Sequence, residues 1–247
     1  MSKYKLFGLG FAHYNGEQSY FDDLIHTALI NRVVYFEACS FYMNYECEFS
    51  LTNTLNDYTS RDKYVLANKL CNEICEKNFE GDLEKYFNSQ LQNCNTNYFD
   101  YYLIQYVDGK YFDSDKHPND LFISQYNFLL KKKQEGKIKN IGFVYHGYPE
   151  YFENCFLEFD WDCVQFSLNY YKWKFGYAKN LYEIATQYKV PIIAMEPLAM
   201  GLLTQSPKII NAAYNFLMTL SNVKIILNGT TSLSHLNNNL NMLISYI

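Results

Sequence analysis

The stretch VVYFEACSFY (residues 33–42) decides the fold: an apolar strand runs into the acidic Glu37, and Tyr42 follows five positions later. Two later apolar runs also end on a polar residue. YVLANK ends at Lys69, and YYLIQ ends at Gln105. Because a parallel barrel builds its active site at the carboxyl ends of its strands, the pattern predicts an acid, a phenol, an amine and an amide in one site.

Short β-branched or aromatic runs recur along the whole chain, and each is followed by a longer helical pattern. The runs are almost continuously apolar, as expected when both faces of a parallel sheet are covered. The predicted strands are residues 5–9, 33–37, 64–68, 98–105, 138–143, 163–167, 191–195 and 224–227. The predicted helices are residues 18–31, 47–56, 83–94, 121–135, 149–157, 178–188, 208–220 and 233–245. This alternation predicts a single-domain (β/α)₈ TIM barrel over residues 1–247.

A doubly wound open sheet is the alternative architecture. It usually has fewer strands and a glycine-rich first turn that binds a dinucleotide. The first turn here is GLGFAHYNGE (residues 8–17), which contains GxG but no third glycine at the required offset. The barrel is therefore favoured.

Composition excludes several classes of function. The net charge is −5 and the lysines are scattered, which argues against a nucleic-acid-binding protein. No apolar stretch is long enough to span a membrane. The seven cysteines form neither a disulfide framework nor a set of metal ligands, so no metal site is expected and a reducing cytoplasm is the predicted location.

The polar residues at the strand ends have distinct chemical capacities. Tyr42 is the candidate proton donor, and the Lys69 ammonium is expected to lower its pKa. Glu37 can pair with Lys69 and orient it, while the Gln105 amide can polarise a carbonyl oxygen. A tyrosine at the barrel rim beside a surface Lys–Glu pair is the simpler interpretation of each residue alone. Their joint position at successive strand ends favours a catalytic site.

On these motifs the chain resembles the aldo-keto reductase superfamily, whose members are (β/α)₈ barrels that use NADPH or NADH. YFEACSFY is similar to the family's F-D-T-A-x-x-Y, ANKL to its T-K strand end, and FDYYLIQYVDG to its D-x-x-x-x-H segment. The resemblance continues through GKIKNIGFVYHG, FDWDCVQFSLNYYKW, VPIIAMEPLAMGLL and NVKIILNGTTSLSHLNNNL. These later segments look most like a bacterial subgroup of predicted oxidoreductases that often carries a C-terminal iron–sulfur domain. This sequence contains no C-x₂-C-x₂-C run.

The resemblance implies a catalytic tetrad in which two positions differ from the family pattern. Tyr42 and Lys69 match the family's tyrosine and lysine. Glu37 stands in place of an aspartate and is one methylene longer. Gln105 stands in place of a histidine, so it keeps a neutral donor but cannot titrate near neutral pH.

The resemblance also implies NADP or NAD as the cofactor. It places Gln165 at the nicotinamide carboxamide and Met195 where the family stacks a tyrosine on the ring. Its other cofactor-binding positions follow strands six, seven and eight: Asn169, Pro197, Leu198, Gly229, Thr230, Ser232, Asn238 and Asn239. Gly229 and His235 stand where many members have the lysine and arginine that bind the 2′-phosphate. Each lost charge-assisted hydrogen bond is worth about 1.5–3 kcal/mol, so NADH or weak binding is an alternative to NADPH.

The leading prediction is an aldo-keto reductase-like oxidoreductase that transfers hydride from NAD(P)H to a carbonyl or related unsaturated small molecule. Two alternatives follow from the altered tetrad. The barrel could have lost hydride transfer and act as a binding or regulatory subunit for a protein partner. It could also use Tyr42, Lys69 and Glu37 as a cofactor-independent acid/base lyase or isomerase.

Overall fold

The strands form a closed barrel. The computed structural model describes residues 6–12, 14 and 17–243. Eight parallel strands pair in chain order, and the last pairs with the first. They are β1 (Leu6–Gly10), β2 (Tyr35–Glu37), β3 (Val65–Leu70), β4 (Phe99–Val107), β5 (Ile138–Tyr145), β6 (Cys163–Ser167), β7 (Ile192–Met195) and β8 (Val223–Gly229). The predicted (β/α)₈ TIM barrel is confirmed, with strand ends within two residues of the predicted ones; residue 5 lies outside the described residues.

Helices connect the strands on the outside. They are α1 (Gln18–Ile30), α2 (Cys47–Tyr58), α3 (Asn72–Phe79), α4 (Leu83–Asn93), α5 (Asp120–Gln134), α6 (Pro149–Phe152), α7 (Tyr170–Phe175), α8 (Ala178–Gln187), α9 (Pro207–Thr219) and α10 (Leu233–Leu243). All eight predicted helices have a counterpart. Residues 244–245, at the end of the last prediction, lie outside the described residues.

Three details of the helix prediction are wrong. The helix predicted over residues 149–157 ends at Phe152 and tightens into a 3₁₀ turn, where the Trp161 indole N–H donates to the Cys155 carbonyl at 2.8 Å. The short helices α3 and α7 were not predicted. The sequence of α7, YYKWKF, is aromatic and favours helix weakly, but Asn169 caps it by accepting from the Lys172 backbone N–H at 2.9 Å.

The barrel lumen is filled by side chains from alternate strand residues, since strand side chains alternate between faces. The lumen cluster consists of Tyr35, Ala67, Leu103, Val144, Cys163, Ile193, Ile225 and Leu227. Gly8 makes room for the Tyr35 ring, because a Cβ at Gly8 would lie 2.6 Å from that ring. The residues two positions further along β2, β3, β4 and β6 face the same lumen nearer its carboxyl end. They are Glu37, Lys69, Gln105 and Gln165.

The remaining core lies between the barrel and its helices. Much of it is aromatic: Phe143 on β5 contacts Trp161 and Phe156 at ring-centroid distances of 5.0 and 5.7 Å. All seven cysteines are buried and unpaired. Within residues 6–12, 14 and 17–243, no helix is both long and apolar enough to cross a membrane.

Candidate active site

The carboxyl end of the lumen holds a buried ion pair. Lys69 Nζ on β3 lies 2.7 Å from Glu37 Oε1 on β2, and both side chains are 3% exposed. Tyr42 begins the 3₁₀ turn that follows β2, and Lys69 Nζ donates to its hydroxyl oxygen at 2.9 Å. Three of the predicted catalytic residues are therefore joined in one chain of contacts, which lies inside the barrel and not on the surface.

Tyr42 is placed to act as an acid. An ammonium can only donate hydrogen bonds, so the Tyr42 oxygen accepts from Lys69 and its own O–H remains free to donate. The sequence predicts that Lys69 lowers the pKa of Tyr42, and the net result is the opposite. Burial raises the pKa of the phenol more than Lys69 lowers it, and the Glu37 charge raises it further. Tyr42 therefore holds its proton at neutral pH.

Lys69 is held in its charged form. Burial by itself lowers the pKa of this ammonium, but the Glu37 carboxylate, and after it Tyr42, raise that pKa above its usual range. A permanent positive charge beside Tyr42 can stabilise the phenolate that remains after proton donation.

Glu37 also connects Lys69 with the predicted cofactor site. The Gln165 Nε2 on β6 donates to the same Glu37 oxygen at 3.4 Å and lies 3.8 Å from the Met195 sulfur on β7. One carboxylate thus contacts side chains from two other strands, β3 and β6. Glutamate reaches further than aspartate, which accounts for the contact across the lumen.

Several buried oxygen atoms at this end of the lumen have no hydrogen-bond partner among the described residues. They are Glu37 Oε2, Gln105 Oε1 and Gln165 Oε1. Gln105 is 8% exposed and forms no hydrogen bond to Tyr42 or Lys69 in the described residues. Because buried polar atoms are almost always paired in native proteins, these oxygens indicate a site for a ligand or water that carries donors.

The predicted cofactor residues after β6 and β7 have different surroundings. Asn169 is fully buried, with its amide oxygen bound to the Lys172 backbone and its amide nitrogen to the Glu196 carbonyl at 2.9 Å. It therefore ties α7 to the loop after β7. Pro197 is buried in that loop, and Leu198 is half-buried.

The predicted cofactor residues after β8 are neutral and close to the start of α10. The Thr230 hydroxyl donates to the Ser232 carbonyl at 3.2 Å, and the Ser232 hydroxyl accepts from the His235 N–H at 3.1 Å. Gly229 and Asn238 are exposed, whereas Asn239 is buried. Residues 228–243 contain no lysine or arginine. The unpartnered Gln165 oxygen fits a carboxamide donor, while a 2′-phosphate would find no cation on this segment.

A polar cluster on the rim between β6 and β7 was not predicted from the sequence. The Glu196 carboxylate accepts from the Ser167 hydroxyl and from Lys172 Nζ, which is 3.0 Å away. Burial raises the pKa of Glu196, but the hydrogen bonds from Ser167 and Lys172 lower this pKa by more. The net pKa of Glu196 therefore lies below the usual range. The polar strand-end rule that singled out Glu37 applies equally to Ser167 and Glu196, so a signal was present.

A second missed network lies behind the site. The Glu48 carboxylate on α2 is 3% exposed. It accepts hydrogen bonds of 2.8–3.0 Å from four neutral side chains: Ser40, Asn68, Gln90 and Asn93. Gln90 also donates to the Lys69 carbonyl at 3.0 Å. The network supports the backbone that carries Lys69, and no sequence pattern predicts contacts between such distant positions. No group of three or more His, Cys, Asp or Glu side chains in the described part of the chain could hold a metal ion.

Comparisons with known proteins identify the family and the fold. The sequence model of the aldo/keto reductase family matches residues 7–212, so the chain belongs to that family, as predicted. A comparison with curated proteins finds no match.

Solved structures of aldo-keto reductases share the fold. The holo form of an enzyme from Bacillus halodurans has 15% identity and a TM-score of 0.77, covering 97% of this chain and 86% of that one. An enzyme from Klebsiella pneumoniae in complex with NADPH has 17% identity and a TM-score of 0.73, with coverages of 99% and 90%. The aldose reductase from Schistosoma japonicum has 19% identity and a TM-score of 0.68, with coverages of 95% and 81%. At these identities the likeness establishes the fold alone.

Proposed function

We propose that this chain catalyses the nicotinamide-dependent reduction of a carbonyl group in a small molecule. The observation that carries the proposal is the buried contact chain Glu37–Lys69–Tyr42, which leaves a phenolic proton free to be donated. Membership of the aldo/keto reductase family supports it, as does the NADPH complex of the similar Klebsiella pneumoniae protein.

The residues divide the work of reduction as follows. A nicotinamide bound beside Gln165 and Met195 would supply the hydride to the carbonyl carbon. Tyr42 donates its proton to the carbonyl oxygen, so that the product is an alcohol and a phenolate remains until solvent reprotonates it. General acid catalysis of this kind contributes about 10²–10⁴-fold. Lys69 stabilises the phenolate, Glu37 orients Lys69, and the Gln105 amide N–H holds the substrate oxygen.

The cofactor residues favour a dinucleotide without a 2′-phosphate. Gln165 would accept a hydrogen bond from the carboxamide of a bound nicotinamide, and Met195 would pack on its ring. The remaining contacts would come from the loop after β7 and from the segment that runs from the end of β8 into α10, through Pro197, Leu198, Gly229, Thr230, Ser232, Asn238 and Asn239. Asn169 positions the loop after β7. Since residues 228–243 carry no lysine or arginine, NADH is the expected cofactor.

Exposed aromatic residues lie at the carboxyl end of the barrel, where the substrate would enter. Tyr106 lies near the carboxyl end of β4, Tyr148 follows β5, and Tyr177 lies between α7 and α8; they are 56%, 62% and 54% exposed. Tyr148 and Tyr177 pack edge-to-face at 5.6 Å. Exposed apolar groups beside a site favour an aromatic or apolar ligand, so we expect an aromatic aldehyde or ketone to be a substrate.

The test is a fluorescence titration of the protein with NADH and NADPH, followed by turnover of 4-nitrobenzaldehyde. We expect saturable binding with NADH at least as tight as NADPH, and oxidation of the cofactor only when aldehyde is present. No binding of either cofactor at millimolar concentration would contradict the proposal. Turnover without nicotinamide would instead favour the acid/base lyase or isomerase. Co-purification with one protein partner would favour the regulatory subunit.

A further inference from the structure

The end of β4 departs from a regular strand. Its register with β5 shifts between Ile104 and Val107, and Tyr106 in that interval has a left-handed backbone with φ of 66°. This left-handed conformation is unfavourable for a residue other than glycine. Bulges of this kind often lie beside active sites, where they redirect a side chain. Here the bulge leaves the Tyr106 ring exposed at the mouth, directly after the lumen residue Gln105.

His146 lies on the redirected tyrosine. It is the first residue after β5, and its backbone N–H donates to the Val107 carbonyl at 2.8 Å. Its imidazole stacks on the Tyr106 ring with a centroid distance of 4.1 Å and an interplanar angle of 14°. In the described residues neither ring nitrogen has a hydrogen-bond partner. The bulge therefore holds an imidazole with two free nitrogens one strand away from Gln105.

Partial exclusion of water, more than charge, keeps His146 neutral. The charges around it are the cations Lys69 and Lys172, which lower its pKa, and the anions Glu196 and Asp108, which raise its pKa. Partial exclusion of water by the rim, and after it the Lys69 charge, lower the pKa of His146 even though part of the ring is exposed. A neutral imidazole donates from one nitrogen at physiological pH and keeps that proton.

We infer that His146 donates a further hydrogen bond to the oxygen of the bound carbonyl substrate, in addition to those from Tyr42 and Gln105. The inference rests on the proposed function and adds a residue to it. This role of His146 explains how the site can function with a glutamine, Gln105, at the end of β4. The imidazole comes from the end of the adjacent strand β5, and the ring of Tyr106, whose backbone is strained, packs against it. His146 thereby helps to fix the orientation of the carbonyl group.

The first test measures turnover of 4-nitrobenzaldehyde by variants. We expect His146→Gln to lower kcat/KM about 100-fold, the usual effect of removing one donor to a developing oxyanion, without changing the Kd of NADH. Adding Gln105→His to that variant should restore most of the loss, since an imidazole returns to the same end of the lumen. His26→Gln is the matched control, because His26 also stacks on a tyrosine, Tyr58 at 4.5 Å, but on the outer helices α1 and α2. It should leave kcat/KM unchanged.

The second test needs neither cofactor nor turnover. In protein labelled with ¹⁵N-histidine, 4-nitrobenzyl alcohol should shift the imidazole signals of His146 and leave those of His26 in place. Unchanged kcat/KM in His146→Gln, or no response of His146 to the alcohol, overturns the inference while the proposed function stands on wild-type turnover. The His146 signals could also respond to the alcohol in a protein that oxidises neither NADH nor NADPH. That result would support the contact between His146 and the substrate oxygen but contradict the proposed function.

Discussion

The two ends of the barrel both contain a carboxylate bound by cations, but they satisfy it differently. At the amino end, Asp100 Oδ2 accepts from Arg61 at 2.8 Å and from the Leu66 N–H at 3.0 Å, and Oδ1 accepts from Lys139 at 2.8 Å. At the carboxyl end, Glu37 Oε1 accepts from Lys69, while Oε2 has no partner in the described residues. Both oxygens of Asp100 therefore have hydrogen-bond partners, whereas only one oxygen of Glu37 has a partner among the described residues.

The surroundings sharpen this difference. The ring of Tyr98 lies 4.1 Å from both Arg61 and Lys139, so the amino-end cluster is also packed by cation–π contacts at the edge of solvent. The ion pair of the carboxyl end is almost fully buried, beside two further unpaired amide oxygens. In TIM barrels the amino end generally serves stability and the carboxyl end serves catalysis. Among the described residues, the unpaired oxygens of Glu37, Gln105 and Gln165, more than the charges, mark the carboxyl end.

The largest effect is expected for Tyr42→Phe at the carboxyl end. Removing the proton donor should lower kcat/KM for aldehyde reduction by about 10²–10⁴-fold. The fold should be retained, because Lys69 keeps its contact with Glu37. Steady-state kinetics and thermal unfolding measure the two properties on the same sample. Near wild-type turnover would show that another group donates the proton.

The second largest effect is expected for Asp100→Asn at the amino end. In contrast to Tyr42→Phe, this substitution should lower stability and leave activity unchanged. Arg61 and Lys139 would lose their counter-charge, which should lower the free energy of unfolding by about 2 kcal/mol for this partly exposed cluster. Activity of the folded protein should not change. Urea unfolding and kinetics below the transition check both points. Asp62→Asn, in an exposed pair with Lys63, is the control and should have no measurable effect. If Asp100→Asn lost activity without losing stability, the amino end would not serve stability alone.

The strands were predictable because burial on both faces leaves a local sequence signal. Apolar runs mark all eight, and the polar residues that end β2, β3 and β4 predict three catalytic positions. The same local logic failed for α7, whose YYKWKF sequence has little helical preference and is held by the Asn169 cap and by tertiary contacts. The register shift in β4 left no signal that could be recognised either.

Most of the electrostatic interactions in the site could not be predicted from the sequence. The sequence predicts Glu37 beside Lys69, but not that Glu37 also reaches Gln165 across the lumen, which depends on barrel geometry. It predicts a lowered pKa for Tyr42 from the neighbouring charge alone. The depth of burial reverses that sign, and burial is a property of the closed barrel and not of the local residues.

A smaller effect is expected for Glu37→Asp, which tests the link between the ion pair and the cofactor site. The shorter carboxylate should keep Lys69 but release the Gln165 amide, whose hydrogen bond to a nicotinamide is worth about 1 kcal/mol. The Kd of NADH in fluorescence titrations should therefore rise by about fivefold. The same substitution in a Gln165→Leu background should leave Kd unchanged, as in a double-mutant cycle. An equal change in both backgrounds would show that Glu37 and Gln165 are not coupled.

The smallest effect is expected for pH, and it concerns the carboxyl end alone. Tyr42 has a pKa above its usual value of 10.0, so its donor form is fully present at neutral pH and is lost only as pH rises through that raised pKa. Lys69, whose pKa is also raised, stays charged over the same range, and Gln105 does not titrate. The logarithm of kcat/KM should therefore be flat from about pH 6 to pH 9 and fall only on the alkaline side. Initial rates across this range check it, and a transition centred near pH 7 would mean that Tyr42 is not the acid or that an imidazole must change its charge.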